Sequence, residues 1–235
     1  MASDNMTFQY EFEFKDGRKK NFTIELDSES LAFVPKSKAA PPEWTRLEVH
    51  RCANCPLDPA SHPHCPVALN LTEITEAFSR NLSFEEVTVT IRTPARTYSR
   101  KIALQDALRS LFGIHMVSSG CPVLDKLRPL VQMHLPFATM KETAYRAISM
   151  YVLAQFFIQK KGGTPDMTLE GLGKIYKEIE LVNRGLHQRL VSAHFNDACL
   201  NAIGNLNCHA QFTQMFLEPG ALDKIEKLFS AYLKH

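Results

Sequence analysis

Residues 8–26 read FQYEFEFKDGRKKNFTIEL. Phe8, Tyr10, Phe12 and Phe14 alternate with Gln9, Glu11 and Glu13, a period of two that puts four aromatic rings on one face of a strand. Asp16-Gly17 supplies a turn, because glycine accepts positive φ. Phe22, Ile24 and Leu26 then resume the alternation around Thr23 and Glu25. The stretch predicts a β-hairpin with one apolar face. Two strands alone cannot bury such a face, so a third strand or a helix must cover it. Arg18-Lys19-Lys20, the densest basic run, lies just past the turn and reads as a solvated hairpin end rather than a phosphate-binding patch.

Outward from the hairpin, residues 35–43 (PKSKAAPPE) form a Pro- and Lys-rich link. A short strand is expected over Thr45–His50, with Leu47 and Val49 on one face, leading into a Cys/His segment. Residues 67–80 have helical spacing at Leu71, Ile74 and Phe78. Glu86–Arg92 alternates Val87, Val89 and Ile91 as a strand, and Thr97–Ile102 is its hairpin partner across Thr93-Pro94-Ala95. From Leu104 the pattern is helical. Leu104, Leu108, Leu111 and Phe112 make one face, and Val123–Met133 a shorter helix interrupted at Pro129. Thr139 and Glu142 form a capping box that opens a helix to about Lys160, ended by Gly162-Gly163. Thr168 is expected to cap a helix carrying Leu172, Ile175, Ile179, Val182, Leu186 and Leu190. Asn196–Phe216 follows. A terminal amphipathic helix with Leu228, Phe229, Tyr232 and Leu233 comes after Pro219-Gly220. Strands segregated from helices predict an α+β fold, with a β-rich subdomain over residues 1–103 that carries a metal-binding loop and a helical subdomain over 104–235.

The chain has 235 residues, 45% hydrophobic and 22% charged, with a net charge of +2. So small a charge does not argue for nucleic acid or an anionic membrane as partner. Residues 1–20 lack the apolar core of a secretory signal. The longest apolar run, Ala147–Ile158 (AISMYVLAQFFI), is too short to span a bilayer and is expected as a buried helix. A soluble, cytoplasmic protein is expected. A small-molecule or protein partner is left open, as is a homo-oligomer.

The chemistry concentrates in Cys52-Ala-Asn-Cys55-Pro-Leu-Asp-Pro-Ala-Ser-His62-Pro-His64-Cys65-Pro66. Cysteines crowded like this do not resemble a disulfide framework. A Cys-x₂-Cys turn aims two thiolates at one point, and zinc takes four Cys or His ligands tetrahedrally. Cys65 is the third candidate, reached through a loop that Pro56, Pro59 and Pro63 stiffen. The fourth is His62, His64 or the distant Cys121 of Ser118-Ser119-Gly120-Cys121-Pro122. Cys55, Cys65 and Cys121 each precede a proline, which holds the cysteine extended. Pro122 also suits the first position of a helix, and a helix N-terminus favours thiolate. Cys121 is therefore preferred, and it would staple the β half to the helical half. An iron–sulfur cluster on the same cysteines is the rival cofactor.

Other residues carry competing readings. Cys121 and His134 could act as nucleophile and base in a thiol enzyme. His134 sits among apolar residues, where a satisfied structural histidine is the commoner outcome. Tyr145, Arg146, Tyr151 and Gln155 recur on an otherwise apolar helix, either lining a ligand pocket or forming a hydrogen-bond network; Asn183, Asn201 and Asn205 raise the same question. Cys199 and Cys208 are expected as inert core thiols. Phosphate-loop, dinucleotide, nucleophile-elbow and zinc-protease motifs are absent.

The strings CANCPLDPASHPHCPVALNL, SSGCPVLDKLRPLVQMHLPF and ETAYRAISMYVLAQFF together resemble an uncharacterised family of bacterial proteins, a domain of unknown function. The likeness runs over most of the chain. It implies a bacterial, soluble protein with Cys52, Cys55, Cys65 and Cys121 in the family's cysteine-bearing segments, and it brings no known reaction.

Overall fold

The computed structural model describes residues 5–34 and 40–233, so the link expected over 35–43 falls largely outside the described residues. The hairpin forms as its alternation requires. β1 (Met6–Phe14) pairs antiparallel with β2 (Lys19–Leu26), and Gly17 takes φ 83° in the turn. β3 (Glu86–Arg92) pairs with the other edge of β1 and β4 (Thr97–Ala103) with β3, giving the sheet order β2-β1-β3-β4, antiparallel throughout. Phe8, Tyr10, Phe12 and Phe14 are buried together with Phe22, Ile24, Leu26, Val87, Val89 and Ile91.

Two helices cover that face. α1 (Pro66–Ala77) leads into Phe78, whose ring packs on Phe12 and Phe22 at 5.0 and 5.5 Å. α2 (Leu104–Val117) places the Ser110 hydroxyl 3.1 Å from that of Tyr10. Lys20 departs from the solvated hairpin end expected of it. Its ammonium sits over the Phe78 ring at 4.6 Å and donates to the Ala77 carbonyl and to Asn81 Oδ1, closing the C-terminus of α1. Arg18 and Lys19 do remain exposed, paired with Asp16 and with Glu11 and Glu13.

The expected strand at Thr45–His50 is not one. Glu43–Thr45 is a 3₁₀ turn, a single bridge joins Arg46 to His64, and His50 takes φ 46°. The carbonyls of Trp44, Arg46 and Leu47, which a strand would offer to a neighbouring strand, are taken instead by the guanidinium of Arg189.

In the helical half, Val123–Met133 breaks at its proline into a 3₁₀ turn (Leu124–Leu127) and α3 (Pro129–Gln132). α4 (Met140–Lys160) opens with the capping box in both directions. Thr139 Oγ1 accepts from the Glu142 N–H at 3.2 Å, and the Thr139 N–H donates to Glu142 Oε2 at 2.8 Å. α4 is not the buried helix expected from its apolar run. Ala144, Ala147, Tyr151 and Gln155 form its buried stripe, while Leu153, Phe156 and Phe157 are exposed. α5 (Glu170–Ser192) and α6 (Asp197–Met215) complete the packing. The expected terminal amphipathic helix is replaced by short turns, α7 (Asp223–Glu226), Lys227–Phe229 and α8 (Ser230–Leu233), with Leu228 and Tyr232 exposed. Short helices depend on packing an apolar face, and no side chain of Lys227–Leu233 is buried. Buried side chains of the sheet, α1, α2, α5 and α6 belong to one continuous core. No helix among the described residues is long and apolar enough to cross a membrane.

Asp166, rather than Thr168, organises the start of α5. Its carboxylate accepts from the Gly171 N–H at 2.7 Å, the Thr168 hydroxyl at 2.6 Å and the Tyr151 hydroxyl at 2.9 Å, and its own N–H donates to Gln155 Oε1. These donors hold the carboxyl far below the usual range, the Thr168 hydroxyl contributing most. The geometry leaves no room at Gly171, where a Cβ would lie 2.1 Å from Tyr151 Oη. Glycine to alanine within a helix ordinarily stabilises by up to about 1 kcal/mol. Gly171→Ala is expected to lower Tm instead, and Tyr151→Phe in the same chain to restore part of the loss, both read by thermal unfolding.

Candidate functional site

The Cys-x₂-Cys segment forms a tight turn, with the Cys55 N–H donating to the Cys52 carbonyl at 3.0 Å. Arg51 ties the turn from outside through the carbonyls of Cys55 and Leu57. Cys65 is the N-cap of α1, with Pro66 at the first helical position, and its N–H donates to the Thr45 carbonyl at 2.7 Å. Cys121 follows Gly120, whose φ is 85°, and its carbonyl accepts from the Asp125 N–H. The helix expected after Pro122 is thus a 3₁₀ turn. Cys52, Cys55, Cys65 and Cys121 line one small cavity of about 20 Å³, closed by Leu47, Val182 and Arg189. All four are free of disulfides.

The thiols of Cys52 and Cys121 feel their neighbours. Burial, and then the charges of Cys65, Cys55 and Cys121, push the Cys52 thiol up to about 12. Burial raises Cys121 too, opposed by the N–H groups of Leu124 and Val123, which favour its thiolate. Arg189, 2% exposed, is the counter-charge: burial lowers its pKa, and Cys65, Cys52 and Cys55 pull it back up. Among the described residues, no group of three or more His, Cys, Asp or Glu side chains is arranged to hold a metal ion. His62 is exposed beside Ser61, and His64 Nδ1 lies 2.8 Å from the Thr45 hydroxyl; neither lines the cavity.

α5 presses directly on the loop. A Cβ on Gly185 would meet Cys52 Sγ at 2.8 Å and Cys52 Cα at 3.2 Å. Cys52 Sγ faces the Val182 carbonyl at 3.9 Å, and Asn54 Nδ2 donates to the Glu178 carbonyl at 3.0 Å. Neither Gly185 nor Arg189 stands out from the cysteine motif itself. The legible signal is Arg189's place on the apolar stripe of α5, on the turn after Val182 and Leu186.

A second, larger cavity of about 170 Å³ lies within the helical half, walled by α2, α4, α5, α6 and the segment between α2 and α4. His134 is in its wall, not beside Cys121. Its Nε2 lies 2.8 Å from Tyr10 Oη and 3.4 Å from Ser110 Oγ, the satisfied structural histidine. Arg146 and Asn183 line this cavity, whereas Tyr151 and Gln155 belong to the Asp166 network and Tyr145 is exposed. Asn205 donates to Asp106 and Asn201 is exposed. Cys199 is buried as expected; Cys208 is exposed, on the outer face of α6.

Burial, and then the charge of Arg146, lower His134 to about 3; burial, and then Arg109, lower His209 to about 4. Both folded-state values lie below the ordinary 6.5, so the unfolded chain binds these protons more tightly. Their contribution to stability is complete above about 6.5 and declines as pH falls toward the folded values. Tm is expected to drop between pH 7 and 5, above the range where ordinary carboxylates titrate, and His134→Gln to flatten that slope.

No curated protein and no solved structure matches the chain. A family model described as a domain of unknown function (DUF6901) matches residues 8–230. The match takes in the sheet, the cysteine loop and the helices alike, and the chain belongs to the DUF6901 family.

Proposed function

We propose that this protein is a binding module in which one structural zinc ion on Cys52, Cys55, Cys65 and Cys121 clamps the cysteine loop to the helical half, and in which that half takes a ligand in its larger cavity. The observation that carries the reading is the convergence of four thiols, from three separate segments, on one small cavity. Rotation about χ1 is the motion by which the sulfurs would close on an ion. Four thiolates leave no open coordination position for substrate or water, which is the structural rather than the catalytic type of site. Arg189 and the N–H groups at Cys121 offset their negative charge. The small volume favours a single ion over a multi-atom iron–sulfur cluster. The attachment of His134 to Tyr10 argues against a Cys121–His134 thiol enzyme. Free thiols in such a set suit a reducing compartment such as the cytoplasm.

The chain purified without oxygen is expected to be colourless and to carry one zinc. Brown protein with iron and labile sulfide would replace zinc by the cluster. Cys65→Ser and Cys121→Ser are each expected to lose the metal and lower Tm; unchanged metal content in both would end the reading.

Two glycines of α5 separate metal binding from helix stability. At Gly185 a Cβ collides with Cys52, whereas at Gly173 the nearest atom is Leu217 Cδ1 at 3.9 Å. Gly185→Ala is expected to weaken metal retention against a chelator, and Gly173→Ala to leave it unchanged while raising stability by up to about 1 kcal/mol.

A further inference from the structure

The larger cavity has an unbalanced charge. Arg109 and Arg146 both line it, and no Asp or Glu does. Neither arginine forms an ion pair with a described carboxylate. Arg109 spends its terminal nitrogens on the His209 ring and on the Ala138 carbonyl at 3.2 Å. Arg146 gives Nη2 to the carbonyls of Leu130 and Met133 at 2.8 and 2.6 Å. The Nε of each is buried without a partner. Asp106 and Glu142, one helical turn from Arg109 and Arg146 respectively, act on them only through space. A half-buried guanidinium whose direct hydrogen bonds all go to neutral groups is still relieved by a carboxylate that pairs with it. Asn183, 2% exposed, faces the same space with no side-chain hydrogen bond among the described residues.

The remaining wall is apolar, with Met116, Leu127, Phe137, Ile179 and Leu206 prominent, and Gly113 opens the floor. The volume of about 170 Å³ is close to the ~150 Å³ of an apolar cavity that admits a benzene ring. An apolar body of ring size with one negative end matches both the volume and the charge.

We propose that this cavity binds a small monocarboxylic acid with an apolar, ring-sized body, its carboxylate held by Arg146 and Arg109 with Asn183 as a neutral donor and its body between α2, α5 and α6. The inference rests on the reading of the helical half as a ligand-binding unit and adds the ligand's chemical class.

The test titrates the full chain calorimetrically with 3-phenylpropionate, with its neutral counterpart 3-phenylpropanol, and with inorganic phosphate. The carboxylate is expected to bind about tenfold or more tighter than the alcohol, the size of one charge-assisted hydrogen bond. Arg146→Gln should abolish that preference. Gly113→Leu, which fills the floor and keeps both arginines in the chain, should abolish binding of both organic probes, with folding of each variant checked by its melting transition. Should Arg146→Gln fail to fold, Asn183→Leu takes its place, with weaker carboxylate binding expected. Equal binding of carboxylate and alcohol would overturn the acid specificity and leave the ligand cavity standing. Phosphate binding as strong as that of 3-phenylpropionate would overturn the apolar body. Binding of neither organic probe would overturn this inference and the ligand-binding reading together, with the metal content unaffected.

Discussion

A guanidinium buried to 2% exposure cannot be left without acceptors, and at Arg189 the acceptors are main-chain carbonyls of Trp44, Arg46 and Leu47. That requirement shapes the first half of the chain. It turns residues 44–47 away from a sheet, brings the Thr45 carbonyl to the N–H of Cys65 at the head of α1, and sets the cysteine loop against α5. The same cation lies beside Cys65, Cys52 and Cys55, so the group that holds the loop in place also offsets the charge its thiolates would carry. Gly185 makes the arrangement possible, because any side chain there would stand where Cys52 stands.

The sheet and the helices are joined as closely as the loop and α5. Phe78, at the end of α1, fits between Phe12 and Phe22, and Lys20 reaches across from β2 to close the end of that helix. Tyr10 of β1 meets both Ser110 of α2 and His134 of the larger cavity's wall. A side chain on an inner strand of the sheet is therefore one hydrogen bond from the wall of the space in which a ligand is proposed to sit. The outer face of α4 is different in kind. Ala144, Ala147, Tyr151 and Gln155 bury one narrow stripe, while Leu153, Phe156 and Phe157 face outward.

Much of this was legible in single residues. Period-two apolar residues, aromatic in β1 and mainly aliphatic in β2 and β3, placed those strands, because register is imposed by which face must be buried. The capping box at Thr139 and Glu142 and the break at Pro129 are local devices, and both occur where local chemistry puts them. The four cysteines were grouped by type, by the Cys-x₂-Cys spacing and, for Cys55, Cys65 and Cys121, by a following proline, and the fold brings those same four to one cavity. The misreadings share a cause. Leu47 and Val49 alternate like a strand, the apolar run in α4 resembles a core helix, and Lys20 belongs to a basic run. What each became depended on a partner distant in the chain: Arg189, the limited contact surface of α4, and the end of α1.

The sequence by itself determined the α+β order of elements, the capping box at Thr139 and the grouping of the four cysteines, because these follow from periodicity, from φ preferences and from side chains acting on their own neighbourhood. Tertiary structure alone decided that Arg189 and Gly185 complete the cysteine cavity, that His134 answers to Tyr10 rather than to Cys121, and that Arg109 and Arg146 share an apolar space without an acid. Those pairings join residues up to 145 positions apart. A burial cost at one end of such a pair is satisfied only by whatever the fold delivers to the other.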